Sequence, residues 1–354
     1  LNTVSGTRTA LLIVIGVIIL ASAPFWTTQA IVFLIGLTLI DAVFALSWNL
    51  LFGFTGLTTF GHAAFFAVGA YATALALRMH APIHFLVLLG GVALLGAVLS
   101  VLVGMVVLRR AAGIALAILT MALGEILHII IGYSVALGRE DGMSGIPRPK
   151  LNLLVTNLDL ASGNNYYWFL CIVCALVAGA LCWLTFGRVG RVLRSIQQDP
   201  ERTAFLGVNV ARYRLLSFTI AGAIAALAGG LYTPWVQTIT PDLADTFRSA
   251  QPMLNALLGG AQSFWGPVVG TALFALVNFS TRTLAGLSEL VVGMVLLLVI
   301  LIAPTGVMGL LGKLRKKGTE APAAEAPPPA APRNSSAPMA SADAKLAPVK
   351  EGGQ

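Results

Sequence analysis

The sequence predicts an all-α polytopic membrane protein, on three observations. Of its 354 residues, 57% are hydrophobic and 10% are charged, and the mean hydropathy is +0.88; no soluble domain needs so much apolar surface with so little charge. Apolar runs of about 20 residues, the length that crosses a hydrocarbon core about 30 Å thick, recur through position 303. The net charge of +8 collects in loops and in the C-terminal flank, which fits cytoplasmic orientation better than a nucleic-acid surface. The short alternating segments of an outer-membrane barrel do not occur. About ten transmembrane segments, including one broken pair, are expected.

Arg8 precedes an apolar run from Ala10 to Leu20, and Ala21-Ser22-Ala23 follows it. That pattern fits both a signal peptide and a first transmembrane helix; with the rest of the chain in the membrane, it is read as the helix. A second span covers Ala30 to Phe52 and carries Asp41 and Asn49. Residues 53–77 open with Gly53, Gly56 and Gly61, which interrupt helix propensity, and continue into a small-residue face of Gly69, Ala70 and Ala74. Small residues let membrane helices approach closely. Span four runs from Ile83 to Leu108 and ends at Arg109-Arg110; span five, Ala111 to Ile131, carries Glu125 and His128. The polar loop from Gly132 to Tyr166 is expected outside, and span six, Tyr167 to Phe186, returns the chain inside.

Residues 187–214 form the basic loop, and Arg188, Arg191, Arg194, Arg202, Arg212 and Arg214 fall within it. Six crossings from an inside N-terminus place it in the cytoplasm, as the charge rule requires. A short helix is legible in it. Asp199 is an N-cap, Pro200 suits the first helical position, Glu201 faces the positive dipole end and Gly207 is a left-handed stop. Two turns result, carrying Arg202, Ala204, Phe205 and Leu206; so short a helix needs something to dock against. Span seven runs from Leu215 to Thr233. Even parity then requires three crossings between 250 and 303. A short descending segment to Gly259-Gly260, an ascending helix from Gly266-Pro267 and a last descent from Leu290 to Ala303 supply them. The transmembrane domain is thus 1–312, and 313–354 is a basic, then Pro/Ala-rich disordered tail. Both termini are expected in the cytoplasm.

The run DPERTAFLGVNVARYRLLSFTIAGAIAALAGGLY, with GHAAFFAVGAYATA upstream, resembles the permeases of branched-chain amino acid ABC transporters, specifically the LivM type. Glu201 and Gly207 keep the six-residue spacing of the broader importer coupling motif, although Arg202 and Thr203 replace the two alanines usual after that Glu. The resemblance covers about residues 30–310. It implies a bundle like that of the larger importer class, in the bacterial inner membrane, moving leucine, isoleucine and valine. It also implies a homologous second permease, two ATPase subunits that hold ATP and Mg, and a periplasmic amino-acid-binding protein. Asp199, Pro200, Glu201, Arg202, Ala204, Phe205, Leu206 and Gly207 would be the ATPase-coupling residues.

Intramembrane polar groups are costly and mark pathways or internal hydrogen bonds, which singles out Asp41, Glu125, His128 and His62. Gly-rich breaks expose backbone amides to anions, so Gly56, Gly61, His62 and Gly266 are candidates for the substrate path; turns that merely join spans are the plainer reading. Cys171, Cys174 and Cys182 lie in one apolar run without His or carboxylate neighbours in sequence, and read as packing residues rather than a metal site. No catalytic constellation or phosphate-binding G-x-x-x-x-G-K-[ST] loop is present in the sequence, so ATP would be hydrolysed on another chain. Two rivals remain: an importer permease for sugar, urea or short amides, and a proton-coupled secondary transporter using Glu125 and His128. Deleting 318–354 is expected to leave uptake nearly intact; lost uptake at normal expression contradicts a dispensable tail.

Overall fold

The computed structural model describes residues 16, 20–79, 84–149, 151–153, 156–158 and 162–281, with 293–294, 297–298, 301 and 306–309. All fall in one compact unit, Leu1–Leu314. Ten helices follow one another from Gln29 to Thr281: α1 Gln29–Thr55, α2 His62–Arg78, α3 Phe85–Arg110, α4 Ile114–Tyr133, α5 Gly163–Phe186, α6 Arg188–Gln198, α7 Pro200–Phe205, α8 Val210–Val236, α9 Thr246–Gly259 and α10 Gly266–Thr281. Among the described residues, five of these (α1, α3, α4, α5 and α8) are long and apolar enough to cross a bilayer. The expected crossings at Ala10–Leu20 and Leu290–Ala303, and the tail, lie largely or wholly outside the described residues.

α8 is the centre of the bundle and packs on α3, α2 and α1. Small residues set its distance from α2. A Cβ on Gly69 would lie 1.9 Å from Ala226 O, and one on Gly229 would lie 1.9 Å from Phe66 O. The two backbones therefore touch, and the expected small-residue face of α2 is the contact surface: Ala70 and Ala74 are fully buried. Thr233 Oγ1 donates across the same seam to Ala70 O at 2.9 Å. α3, α4 and α5 turn large apolar side chains outward, among them Leu94, Leu102, Ile118, Ile129, Ile172 and Leu176. In a membrane, such a face meets lipid or another apolar helix.

The broken pair is present. α9 and α10 are joined by a turn at 260–265, and α9, at about 21 Å, is shorter than a hydrocarbon core about 30 Å thick. Their crossing is closed by glycine: a Cβ on Gly259 would meet Gly266 O at 1.7 Å, and one on Gly270 would meet Asn255 O at 1.8 Å. The first Gly-rich break is shorter than the sequence suggests. Helix α1 runs through Gly53 to Thr55, and Gly53 serves close approach instead, since a Cβ there would lie 2.3 Å from Ala261 O. The stop is Gly56, with φ +74°, in the left-handed region glycine adopts freely.

The long loop after α4 contains short 3-10 turns and a hairpin in which Leu151 pairs with Leu158 (β2 Leu151–Leu153, β3 Thr156–Leu158). Its start is tied to the segment after α8, as Met143 pairs with Ile239 (β1 Met143–Ser144, β4 Thr238–Ile239). The basic loop holds an element the sequence reading did not assign. α6 buries Gly190, Leu193 and Ile196, a spacing that places them on one helical face.

Gly229→Ala is expected to destabilise the helix bundle by about 1–3 kcal/mol through overpacking, read as a lower melting temperature in detergent. Gly90→Ala, where nothing lies within 4 Å, serves as the neutral control.

Candidate functional site

Asp41 lies midway along α1, and a carboxylate there is in the most expensive part of a membrane span. Its partner is Arg248, in the first turn of α9: Nη2 donates to Asp41 Oδ1 at 2.7 Å. Gln251, one turn further along α9, accepts from Arg248 Nη1 and donates to Asp41 Oδ2 at 3.4 Å. The three side chains close a ring. Arg248 is further held by aromatic faces, with its guanidinium carbon 4.7 Å from the Phe66 centroid, 5.6 Å from Phe44 and 5.7 Å from Tyr232. Cation–π attraction of this kind strengthens where water is excluded. Arg248 Nε has no hydrogen-bond partner among the described residues, nor has either polar side-chain atom of Asn255, a turn beyond Gln251.

His62 joins the same aromatic cluster. Its ring stacks on Phe44 at 5.4 Å, and Nε2 lies 2.8 Å from Ser47 Oγ on α1. Nδ1 is buried without a partner among the described residues. Ser249 Oγ accepts from the Ala63 amide at 3.1 Å, which pins the start of α2 to α9. A polar seam thus runs through the bundle from His62 and Ser47 to Arg248, Asp41 and Gln251, with Phe44 between its halves. Two cavities border it. One of about 220 Å³ lies between α2, α3, α4 and α8, with His62, Phe65 and Leu127 in its wall. The other, about 610 Å³, lies between α1, α9 and α10; Asp41, Gln251, Thr38 and Thr271 reach it amid apolar side chains.

The nominated path residues separate. Gly61 and His62 sit at the start of α2 beside the smaller cavity, where a Cβ on Gly61 would collide with Thr120 O at 1.9 Å. Two amides of that break are already used, Phe60 N–H by Thr120 Oγ1 at 3.1 Å and Ala63 N–H by Ser249. Gly56 lies at the end of α1, against Gln197 of α6. Gly266 is packed on Gly260 O in the α9–α10 turn. Glu125 and His128 form no ion pair among the described residues: Glu125 is exposed and His128 Nδ1 lies 3.1 Å from Pro241 O. Arg248, Gln251 and Asn255 were missed. Their signal was present, since positions 248, 251 and 255 share a helix face and an intramembrane Asp requires a partner.

At the other end of α1 lies the second candidate. Gln197 Nε2 donates to Phe52 O at 3.3 Å, and the Arg194 guanidinium carbon is 5.0 Å from Phe54 and 5.5 Å from Phe186, so α6 is clamped to α1 and α5. From it projects α7. Asp199 caps α7 by accepting from the Glu201 and Arg202 amides at 3.1 and 3.0 Å. Thr203 donates to Asp199 O at 2.8 Å and is buried. Gly207, with φ +83°, ends the turn that follows, and its amide donates to Ala204 O at 3.0 Å. Pro200 opens the helix, and Glu201, Arg202 and Ala204 are exposed. Phe205 and Leu206 are 90% and 81% exposed, two large apolar side chains at the tip of an otherwise polar segment.

A sequence model of the family described as "Branched-chain amino acid transport system / permease component" matches residues 30–304. The Escherichia coli K12 protein named "High-affinity branched-chain amino acid transport system permease protein LivM" is 28% identical over 319 residues, covering 84% of this chain and 74% of the relative. Its Salmonella typhimurium counterpart is 27% identical over 312 residues, covering 82% and 73%. A Methanocaldococcus jannaschii protein, "Probable branched-chain amino acid transport permease protein LivH", is 27% identical over 289 residues, covering 77% and 90%. No solved structure matches the chain.

Asp41→Ala leaves a buried guanidinium uncompensated and is expected to cost about 3–5 kcal/mol, measured as loss of folded protein on heating in detergent. An unchanged melting curve would show the pair to be hydrated in the native protein.

Proposed function

Because this chain belongs to the permease-component family of branched-chain amino acid transport systems, we propose that it is the transmembrane subunit of an ATP-driven importer that carries leucine, isoleucine and valine from periplasm to cytoplasm. It is a multi-pass membrane protein, and the membrane is the bacterial inner membrane with both termini on the cytoplasmic side. It pairs with a homologous second permease, two ATPase subunits dock beneath it, and a periplasmic binding protein delivers substrate from above. ATP and Mg belong to the ATPase subunits.

The observation that carries this reading is α7. A capped helix of six residues has little stability of its own, yet its tip presents Phe205 and Leu206 to solvent. It is backed by α6, which is clamped to the end of α1. Exposed large apolar side chains on a rigid, charged mount suit a hydrophobic cleft on a partner, and the sequence of this segment is the one that resembles the importer coupling region. Closure of the ATPases around bound ATP would move α7, with α6 and α1 behind it, as one lever. The secondary-transporter rival gains nothing from the structure, since Glu125 and His128 form no ion pair among the described residues.

In the complex co-expressed with its ATPase subunits and second permease, Phe205→Ser/Leu206→Ser is expected to cut ATPase recovery at least tenfold. Recovery of the second permease should be unchanged, and leucine uptake should be abolished. Wild-type ATPase recovery in that variant overturns the docking assignment.

A further inference from the structure

The geometry points to the Asp41–Arg248–Gln251 ring as the membrane reader of the transported amino acid: Asp41 takes the α-ammonium, and Gln251 and Arg248 take the α-carboxylate, with the aliphatic side chain in the cavity between α1, α9 and α10. The inference rests on the importer reading above and adds to it the residues that recognise the zwitterion inside the bilayer.

Three observations carry it. The first is cost. A buried ion pair midway through a span is not needed to hold α1 to α9, since well-packed apolar residues in its place are often as stable or more so. Such pairs within membranes mark pathways. The second is access: Asp41 and Gln251 reach a cavity of about 610 Å³ whose other walls include Ile35, Leu39, Val268 and Ala272. A few converging polar groups at the edge of an apolar chamber suit a small molecule with a charged head and an aliphatic tail. The third is charge balance. Separating Asp41 from Arg248 strands two charges unless the incoming solute brings both signs. A zwitterion does so: its carboxylate replaces Asp41 on Arg248, its ammonium replaces Arg248 on Asp41, and no net charge is buried. Neutral sugars, urea and amides cannot make that exchange. Arg248 stands behind the other two, held between Phe44, Phe66 and Tyr232. Its Nε, without a partner among the described residues, is a spare donor for a second carboxylate oxygen.

The test uses the complete importer in vesicles, with its binding protein outside. Asp41→Asn/Arg248→Gln removes both charges together and so leaves neither uncompensated. The variant is expected to assemble with its ATPase subunits and second permease in wild-type yield, while leucine uptake falls at least tenfold. Uptake within twofold of wild type means that the pair is structural and overturns the assignment. A second measurement keeps the native pair. With Thr38→Cys on the cavity wall, alkylation by a maleimide in excess of that in the parent is expected to be slowed at least threefold by millimolar leucine. Leucinamide, which lacks the carboxylate, and 4-methylpentanoate, which lacks the ammonium, should not slow it. Equal protection by all three, or by none, overturns the reader even if the double variant fails to assemble. Leucine uptake by the wild type is the separate control: a wild-type complex that moves no amino acid refutes the importer reading itself.

Discussion

Helices in hydrocarbon gain nothing from burying apolar side chains against one another, because lipid is equally apolar. What holds this bundle is contact close enough for dispersion, and backbone touching backbone supplies it. Gly69 on Ala226 and Gly229 on Phe66 bring α2 against α8, and Gly259, Gly266 and Gly270 do the same for α9 and α10. The remaining features depend on that proximity. Only when helices approach this nearly can an α2 carbonyl at Ala70 receive Thr233, or Ser249 of α9 reach the amide of Ala63.

The same proximity explains how charge is tolerated in the middle of the membrane. Asp41 and Arg248 lie 207 positions apart in sequence, and neither is stable in lipid alone. The short segment between α8 and α9, with its 3-10 turn Pro241–Ala244, lets a 14-residue helix begin inside the bundle, so that its first residues, Arg248 among them, face α1 beside Asp41. Three aromatic rings then replace the water that the guanidinium has lost.

Much of this was legible in the sequence, for reasons that differ from element to element. Long apolar runs announced α1, α3, α4, α5 and α8. Asp199, Pro200 and Gly207 announced α7 because capping is local chemistry, written in adjacent residues. Gly259 and Gly266 announced the hairpin because parity and helix-breaking propensity agreed. α6 was passed over because its arginines dominate its composition, although Leu193 and Ile196 mark a buried face. The Asp41 partner was passed over because nothing local links positions 41 and 248. That pairing exists only after α9 folds back against α1. Gly53 illustrates the opposite error, where a residue that breaks helices elsewhere is here the gap through which Ala261 O approaches.

The two candidate sites are joined by a single element. Gln197 and Arg194 fasten α6 to the last turn of α1 through Phe52 O and the ring of Phe54. Asp41 lies on the same helix, 11 positions before Phe52, or about 16 Å at 1.5 Å per residue. α1 contains no proline in its interior, so it transmits an axial push without a hinge at which to absorb it. A displacement imposed on α7 therefore arrives at Asp41 as movement of the whole helix against α9, and the ion pair to Arg248 lies across that sliding surface. On the inference drawn above, substrate that had exchanged the pair would remove the bond that resists sliding. In the proposed importer, a loaded site would by this route lower the barrier to a motion imposed on α7, and an empty one would hold the lever still.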